Sequence, residues 1–199
     1  MTENIKFDVI RADGKRYYGD GQLFTESVKN ELVKDYFDWK RINERQKAYQ
    51  ARRLNFPESI SEGLSCYCLG LLRTNKTVIH GAISSSCDAI SPNTGLTYQI
   101  KACSTIEKNP TSGSPSTFGP RSEADELFYL HMDCDEDKMY FYRVSENIEN
   151  IMVNKSQTFK DQCDEGRRPR FDLLPRVKGK IPYVGYFDYK TGEYVKCLD

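Results

Sequence analysis

The stretch that decides the fold runs from Ser86 to Thr105 and reads SCDAISPNTGLTYQIKACST. Its centre, Pro92-Asn93-Thr94-Gly95, has turn chemistry, because proline presets its own φ and glycine tolerates a positive φ. Apolar residues recur on both sides of this turn. The stretch therefore predicts a β-hairpin.

The hairpin carries a chemically suggestive set of polar side chains. Asp88 stands before the turn, and Gln99 and Lys101 follow it. Alternate strand residues share a face, so Gln99 and Lys101 point the same way while Tyr98 and Ile100 point into a core. Pairing around the turn would let Asp88 reach the same edge. An acid that binds a divalent metal, beside a lysine that orients a water, indicates a hydrolytic site for phosphodiesters.

Length and charge narrow the class of protein. The chain has 199 residues and a formal net charge of zero, which allows one well-buried core and argues against a protein that coats polyanions without specificity. Charge is nevertheless uneven: residues 155–180 carry eight basic and four acidic side chains, and residues 121–149 carry three basic and nine acidic ones. A DNA partner remains open, because nucleic acid responds to local charge.

The cysteines and the chain's polarity predict its setting. There are seven cysteines and no Cys-x-x-Cys spacing, and Cys66-x-Cys68 lies in a helical pattern where the side chains diverge, so we expect no zinc. The polar start predicts no cleavable signal, and no apolar run is long enough to span a bilayer. We expect a cytoplasmic protein with reduced thiols and no membrane partner.

The periodicity along the chain predicts one α/β (α+β) domain over residues 1–199, with a central mixed β-sheet flanked by helices. We expect an N-terminal hairpin and a long helix from Thr25 in residues 1–56, a possible dimer element. A helix from Pro57 to about Leu72, the hairpin and two buried strands make residues 57–144 the catalytic core. Residues 145–199 hold a short helix from Ser145 to Val153, the basic DNA-recognition segment and a C-terminal hairpin.

Each candidate residue has an alternative interpretation. An aspartate and a lysine on half-exposed strands can arise by chance, although ten intervening residues suit Asp88 and Gln99 being opposite each other. Glu62 lies off the apolar stripe of its helix, so packing does not explain it, but it could be a solvated surface residue. His80 and His131 are isolated in apolar strand contexts and are interpreted as structural.

Three parts of the sequence together resemble a known family. They are the Asp88…Gln99-Ile100-Lys101 core, the Thr117-Phe118-Gly119-Pro120 passage before a buried strand, and Gly166-Arg167-Arg168-Pro169-Arg170-Phe171. At these residues the chain resembles type II restriction endonucleases of the PD-(D/E)XK superfamily, with glutamine where most members have a carboxylate. The resemblance covers roughly residues 57–171, and it implies cleavage of double-stranded DNA at a short, GC-rich palindrome.

The resemblance also implies roles for individual residues. Mg²⁺ would be bound by Asp88, the Ile100 carbonyl and a phosphate oxygen, and it would stabilise the charged transition state. Lys101 would orient or help deprotonate the attacking water, and Gln99 would accept from this water or reach the metal. Glu62 would hold a metal-bound water.

The DNA contacts are expected at several positions, of which the arginines best match the guanine edge. They are Lys160, Arg167, Arg168, Arg170, Ser116, Thr117 and Arg121. The alternatives for the arginine cluster are phosphate contact or a solvated surface loop. A palindromic site is read by a two-fold symmetric protein, so a homodimer is expected. The alternative functions are a structure-directed or repair nuclease of the same fold, and a DNA-binding domain without catalytic activity.

Overall fold

The computed structural model describes residues 2–74, 87–105, 116–117, 124–145 and 147–198. The expectations for His80, Arg121 and residues 118–120 of the Thr117–Pro120 passage lie outside these residues.

Strands and helices from the whole chain contribute to the fold. In the described ranges the strands are β1 Glu3–Ile10, β2 Arg16–Leu23, β3 Leu72–Thr74, β4 Ala89–Ile90, β5 Thr97–Thr105, β6 Ser116–Thr117, β7 Glu126–Asp133, β8 Lys138–Arg143, β9 Arg170–Phe171, β10 Gly185–Asp188 and β11 Glu193–Lys196. The α-helices are α1 Glu26–Ala48, α2 Glu58–Leu69, α3 Phe159–Asp164 and α4 Leu174–Val177, and a 3-10 helix covers Ile148–Asn150.

Nine of these strands form one sheet in the order β1-β2-β3-β4-β5-β7-β8-β10-β11. Strands β5 and β7 run parallel, and the other neighbours are antiparallel. The two faces are covered differently: α1 and α2 pack on one face, against Ile100 and Phe128. The 3-10 helix, α3 and α4 pack on the other face, against Cys103 and Leu127. The predicted α/β class with a mixed central sheet is confirmed.

Helix α1 follows the predicted apolar stripe. Val28, Leu32, Tyr36 and Trp39 are all buried in the core between α1 and the sheet. The Trp39 indole N–H donates to the carbonyl of Asn55 at 2.9 Å. The stripe is therefore used within the chain, and any contact of α1 with a second copy would involve its charged outer face.

The prediction for the end of α2 was wrong by three residues. The helix begins after Pro57 and ends at Leu69, because Gly70 adopts the left-handed conformation (φ 64°) and stops it. Leu71 and Leu72 are buried as expected, but Leu72 already belongs to β3. This short strand puts the side chain of Arg73 next to the predicted hairpin.

The prediction of a helix from Ser145 to Val153 was also wrong. Among the described residues of this segment, a 3-10 turn forms at Ile148–Asn150, and Asn147 precedes it. The Ser145 hydroxyl is used elsewhere: it donates to the Glu126 carboxylate at 2.7 Å and accepts from the backbone N–H of Leu127 at 2.8 Å. Ser145 therefore binds the first two residues of β7 and does not cap a helix.

Candidate active site

The predicted hairpin forms and holds Asp88 in place through its backbone. Gly95 has φ 71°, and a Cβ there would meet the Arg11 Cγ at 2.8 Å, so the turn needs glycine for two reasons. Ala89 of β4 pairs with Tyr98 of β5. The Asp88 N–H donates to the Tyr98 carbonyl at 2.8 Å, and the Asp88 carbonyl accepts from the backbone N–H of Thr74 at 3.0 Å.

The Asp88 carboxylate reaches across to the second strand of the hairpin. Its Oδ2 accepts a hydrogen bond from the backbone N–H of Ile100 at 2.8 Å. The N–H and the carbonyl of one strand residue point to the same edge, so the Ile100 carbonyl also faces the β4 side. The Asp88 carboxylate and the backbone of Ile100, which the family resemblance implies as ligands, therefore lie next to each other.

Gln99 and Lys101 flank this contact along β5. Ile100 belongs to the core under α1 and α2, and Cys103 belongs to the core on the opposite face. Because strand side chains alternate, Gln99 and Lys101 lie on the Cys103 face. Gln99 is 3% exposed and Lys101 is partly buried. The expected alternation is confirmed, whereas the meeting of Gln99 and Lys101 with Asp88 around one cation stays a prediction.

Glu62 approaches the hairpin from α2. Its side chain is only 15% exposed, and its Oε2 accepts from the Nε of Arg73 at 2.8 Å and lies 2.7 Å from an Nη of the same side chain. Burial raises the pKa of Glu62 above its usual value, Arg73 opposes this, and the nearby Asp88 carboxylate adds to the increase. The alternative interpretation as a solvated surface glutamate is wrong.

Arg73 is a site residue that the sequence did not reveal. It lies in β3, paired with Ala89 of β4 on one side and with Gln22 of β2 on the other. The sequence pattern assigned this region to the end of a helix, so no signal pointed from Arg73 to Glu62. Its guanidinium places one positive charge beside Glu62, which also feels the charge of Asp88. We call Glu62 and Asp88 the site carboxylates.

The donor set has a definite chemical character. Two carboxylates and a backbone carbonyl are hard oxygen ligands, the type that Mg²⁺ prefers. No group of three or more His, Cys, Asp and Glu side chains that could hold a metal occurs in the part of the chain that the structure describes. A cation here would therefore use backbone, amide, substrate or water oxygens besides the carboxylates.

The basic segment is built on a short, well-capped helix. Thr158 and Asp161 form a reciprocal capping box at the start of α3. Lys160 pairs with Asp164 and Arg167 pairs with Glu165, each at 2.9 Å. The segment thus neutralises part of its own charge.

Arg168 and Arg170 differ from these two cations. Both are exposed, and neither forms an ion pair with another residue that the structure describes. The residues that alternate with them, Pro169 and Phe171, are buried. This alternation directs the two guanidinium groups away from the core, as expected for side chains that contact a partner.

Residues 166–171, which we call the arginine segment, lie on the face of the sheet that carries Lys101. Strand β9 pairs with β6, with Ser116 opposite Phe171 and Thr117 opposite Arg170. Phe171 in turn belongs to the same core cluster as Cys103 of β5. Residues far apart in the sequence, the predicted catalytic strand and the predicted recognition segment, therefore share one side of the molecule.

His131 occupies a structural position in β7. It is fully buried, and its Nε2 lies 2.8 Å from the Thr105 hydroxyl. Burial lowers the pKa of His131 to about 4, so the ring is neutral at neutral pH. A substrate has no access to this ring.

Sequence comparisons relate the chain to known proteins. The sequence model of the family described as "Bsp6I restriction endonuclease" matches residues 24–178 of this chain. The type II restriction enzyme Bsp6I of Bacillus sp. (strain RFL6) is 36% identical over 171 residues, which cover 83% of this chain and 91% of the relative. Among the residues described, no helix is both long enough and apolar enough to cross a membrane.

The matched range contains α1, both site carboxylates, the Gln99-Ile100-Lys101 strand and the arginine segment. The similarity therefore extends over the hairpin, its supporting helices and the recognition segment, and is not limited to a short motif. This chain belongs to the Bsp6I restriction endonuclease family.

Proposed function

We propose that the chain is a Mg²⁺-dependent type II restriction endonuclease that cuts double-stranded DNA at a short GC-rich palindrome, with a PD-(D/E)XK-type site at Asp88, Gln99 and Lys101. Sequence-specific restriction of DNA follows from membership of the family. Type II restriction endonucleases generally need divalent metal ions. The observation that carries the proposed site is the hydrogen bond from the Ile100 N–H to the Asp88 carboxylate at 2.8 Å.

The residues around this hydrogen bond fit a magnesium ion. Asp88 and the Ile100 carbonyl would bind it directly, and Glu62 would hold one of its waters. A divalent ion so bound would stabilise negative charge on the phosphate in the transition state. Magnesium keeps several waters and needs few protein ligands, so a glutamine in place of the usual second carboxylate is compatible with binding.

Lys101 and Gln99 act on the attacking water in this proposal. The Lys101 ammonium would orient the water and offset the charge of the phosphate. The buried Gln99 amide would accept a hydrogen bond from the same water through its oxygen. Both groups start from the face of β5 that also carries the arginine segment, which is where the DNA would lie.

Arg168 and Arg170 would provide the strongest DNA contacts. Their exposure and their position beside the β6–β9 pair support this assignment. Lys160 and Arg167, already paired with carboxylates, would contribute less. Ser116, Thr117 and Arg121 would contact the backbone or a groove of the same DNA.

A homodimer and a cytoplasmic location complete the proposal. Two-fold symmetry in the protein matches two-fold symmetry in a palindrome. All seven cysteines are free thiols in the structure, which suits a reducing compartment.

Digestion of long duplex DNA tests the proposal. Purified protein should give discrete fragments with Mg²⁺ and none with EDTA, and the sequenced fragment ends should share one GC-rich palindrome. Lys101→Ala should abolish cleavage and largely preserve DNA binding. Lys15→Ala, in the exposed β1–β2 turn, should leave both cleavage and DNA binding unchanged. Nicking only at branched DNA would indicate a structure-directed nuclease, and binding without cleavage would indicate an inactive DNA-binding domain.

A further inference from the structure

An arginine occupies part of the proposed cation site. The Arg73 guanidinium contacts the Glu62 carboxylate through two nitrogens, at 2.7 and 2.8 Å. The Arg73 backbone is held between β2 and β4, with Ala89, the neighbour of Asp88, opposite it. A positive charge is therefore held by the sheet directly beside Glu62, whose carboxylate also lies close enough to Asp88 to be affected by its charge.

We infer that Arg73 sets the cation affinity of this site by competing with the divalent ion for the Glu62 carboxylate. The inference rests on the proposed function, because it takes Glu62 and Asp88 as the residues that attract the ion. A guanidinium and a divalent cation are both positive and use the same carboxylate oxygens. The free protein then binds the ion weakly, and tight binding needs the additional negative charge of the DNA phosphate.

The surroundings of the pair support this competition. Glu62 is 15% exposed and Arg73 is 31% exposed, so the interaction is shielded from water more than a surface ion pair is. Arg73 opposes the rise in the pKa of Glu62, whereas Asp88 adds to it. Both neighbouring charges therefore act on the Glu62 carboxylate, and a change in either one changes its electrostatic environment.

The exposure of Arg73 also shows how the competition could be relieved. About a third of the side chain reaches solvent, while its backbone is fixed by strand pairing on both sides. The guanidinium can therefore leave Glu62 without any rearrangement of the sheet. A nearby phosphate would offer it a new anionic partner with matching geometry.

Binding of Mn²⁺ alone, without DNA, tests the inference. Mn²⁺ accepts the same oxygen ligands as Mg²⁺, and isothermal titration calorimetry measures its binding directly. Arg73→Met should tighten Mn²⁺ binding by about tenfold or more, which corresponds to ~1.4 kcal/mol. Arg73→Lys retains the positive charge and should stay within about threefold of the unmodified protein.

Controls separate this inference from the proposed function. Arg16→Met removes an exposed arginine paired with Asp8 in the first hairpin and should leave Mn²⁺ binding unchanged. In a Glu62→Gln background, Arg73→Met should have less than half of its effect on the binding free energy. Thermal unfolding of every variant would show that the protein remains folded under the titration conditions.

The outcomes are distinct. Mn²⁺ binding by Arg73→Met that is unchanged, weaker or undetectable would overturn the competition, even if Asp88→Asn abolishes cleavage and the proposed site stands. Full cleavage by Asp88→Asn would instead overturn the proposed site. Tighter binding by Arg73→Met together with loss of binding by Asp88→Asn would support both.

Discussion

Asp88→Asn is the substitution that most directly separates catalysis from folding. Asparagine has nearly the same size as aspartate, and its side-chain oxygen can accept the Ile100 N–H that the carboxylate accepts at 2.8 Å. The hairpin should therefore form as before. The negative charge that would bind the cation is lost.

The expected loss of stability is much smaller than the expected loss of cleavage rate. A hydrogen bond to a charged group contributes about 1.5–3 kcal/mol and a neutral one about 0.5–1.5, so the free energy of unfolding should fall by only about 1 kcal/mol. Relief of the repulsion between Asp88 and Glu62 reduces this loss further. Loss of one preorganised electrostatic group slows a reaction by about 10²–10³-fold, and we expect the fall in cleavage rate to be at least at the upper end.

Single-turnover cleavage of a plasmid with excess enzyme and Mg²⁺ measures the rate, and urea denaturation measures the stability. Asp8→Asn provides a matched control, because Asp8 is an exposed aspartate paired with Arg16 in the first hairpin. It should change neither quantity. If Asp88→Asn cleaves within about tenfold of the unmodified protein, well below the expected electrostatic loss, the assignment of Asp88 is wrong.

Three further predictions concern other parts of the molecule. Asp125→Ala removes the acceptor of two Arg11 hydrogen bonds, at 2.7 and 2.9 Å, and should lower the free energy of unfolding in urea by about 3 kcal/mol. Folding lowers the pKa of His131 to about 4, so the unfolded state binds this proton first and the free energy of unfolding falls as the pH drops below about 6.5. Between pH 7 and pH 5, the free energy of unfolding of His131→Phe should therefore fall by about 2 kcal/mol less than that of the unmodified protein. Arg168→Ala and Arg170→Ala should each weaken binding of site-containing DNA by about tenfold, measured by fluorescence anisotropy with Asp88→Asn protein.

Each of these predictions has a result that would contradict it. An Asp125→Ala effect below about 1 kcal/mol would show that the Arg11 contact is not a strong one. Identical pH dependence with and without His131 would mean that this ring titrates normally. Lys160→Ala is the control for the arginines, since Asp164 already neutralises it; equal losses for all three variants would point to a general charge effect.

The structure differs from the sequence prediction where the apolar pattern of α2 continues into the short strand β3 that follows it. The apolar spacing predicted for this helix includes Leu71, and Leu71 is buried. The helix itself, however, has already ended at Leu69, just before Gly70. Helical spacing alone could not separate the last turn of the helix from the short strand that follows. Arg73 was overlooked for this reason, although it contacts Glu62 directly.

The sequence by itself determined the local elements of the site. The turn at 92–95, the alternation along β5 and the 3.6-residue stripe of α1 depend on neighbouring residues, and each can be read from a short window. These patterns were enough to place Asp88, Gln99 and Lys101 on one hairpin. The expected chemistry came from the resemblance to type II restriction endonucleases, and the comparisons support that membership.

Only the tertiary structure decided which distant residues meet. The ion pair of Glu62 with Arg73, the parallel pairing of β5 with β7, and the placement of the arginine segment on the Lys101 face all join parts of the chain that no local pattern relates. Such contacts are selected by the burial of both sheet faces at once. That selection is a property of the packed molecule, and it is what puts Lys101 and the arginine segment on the same face of the sheet.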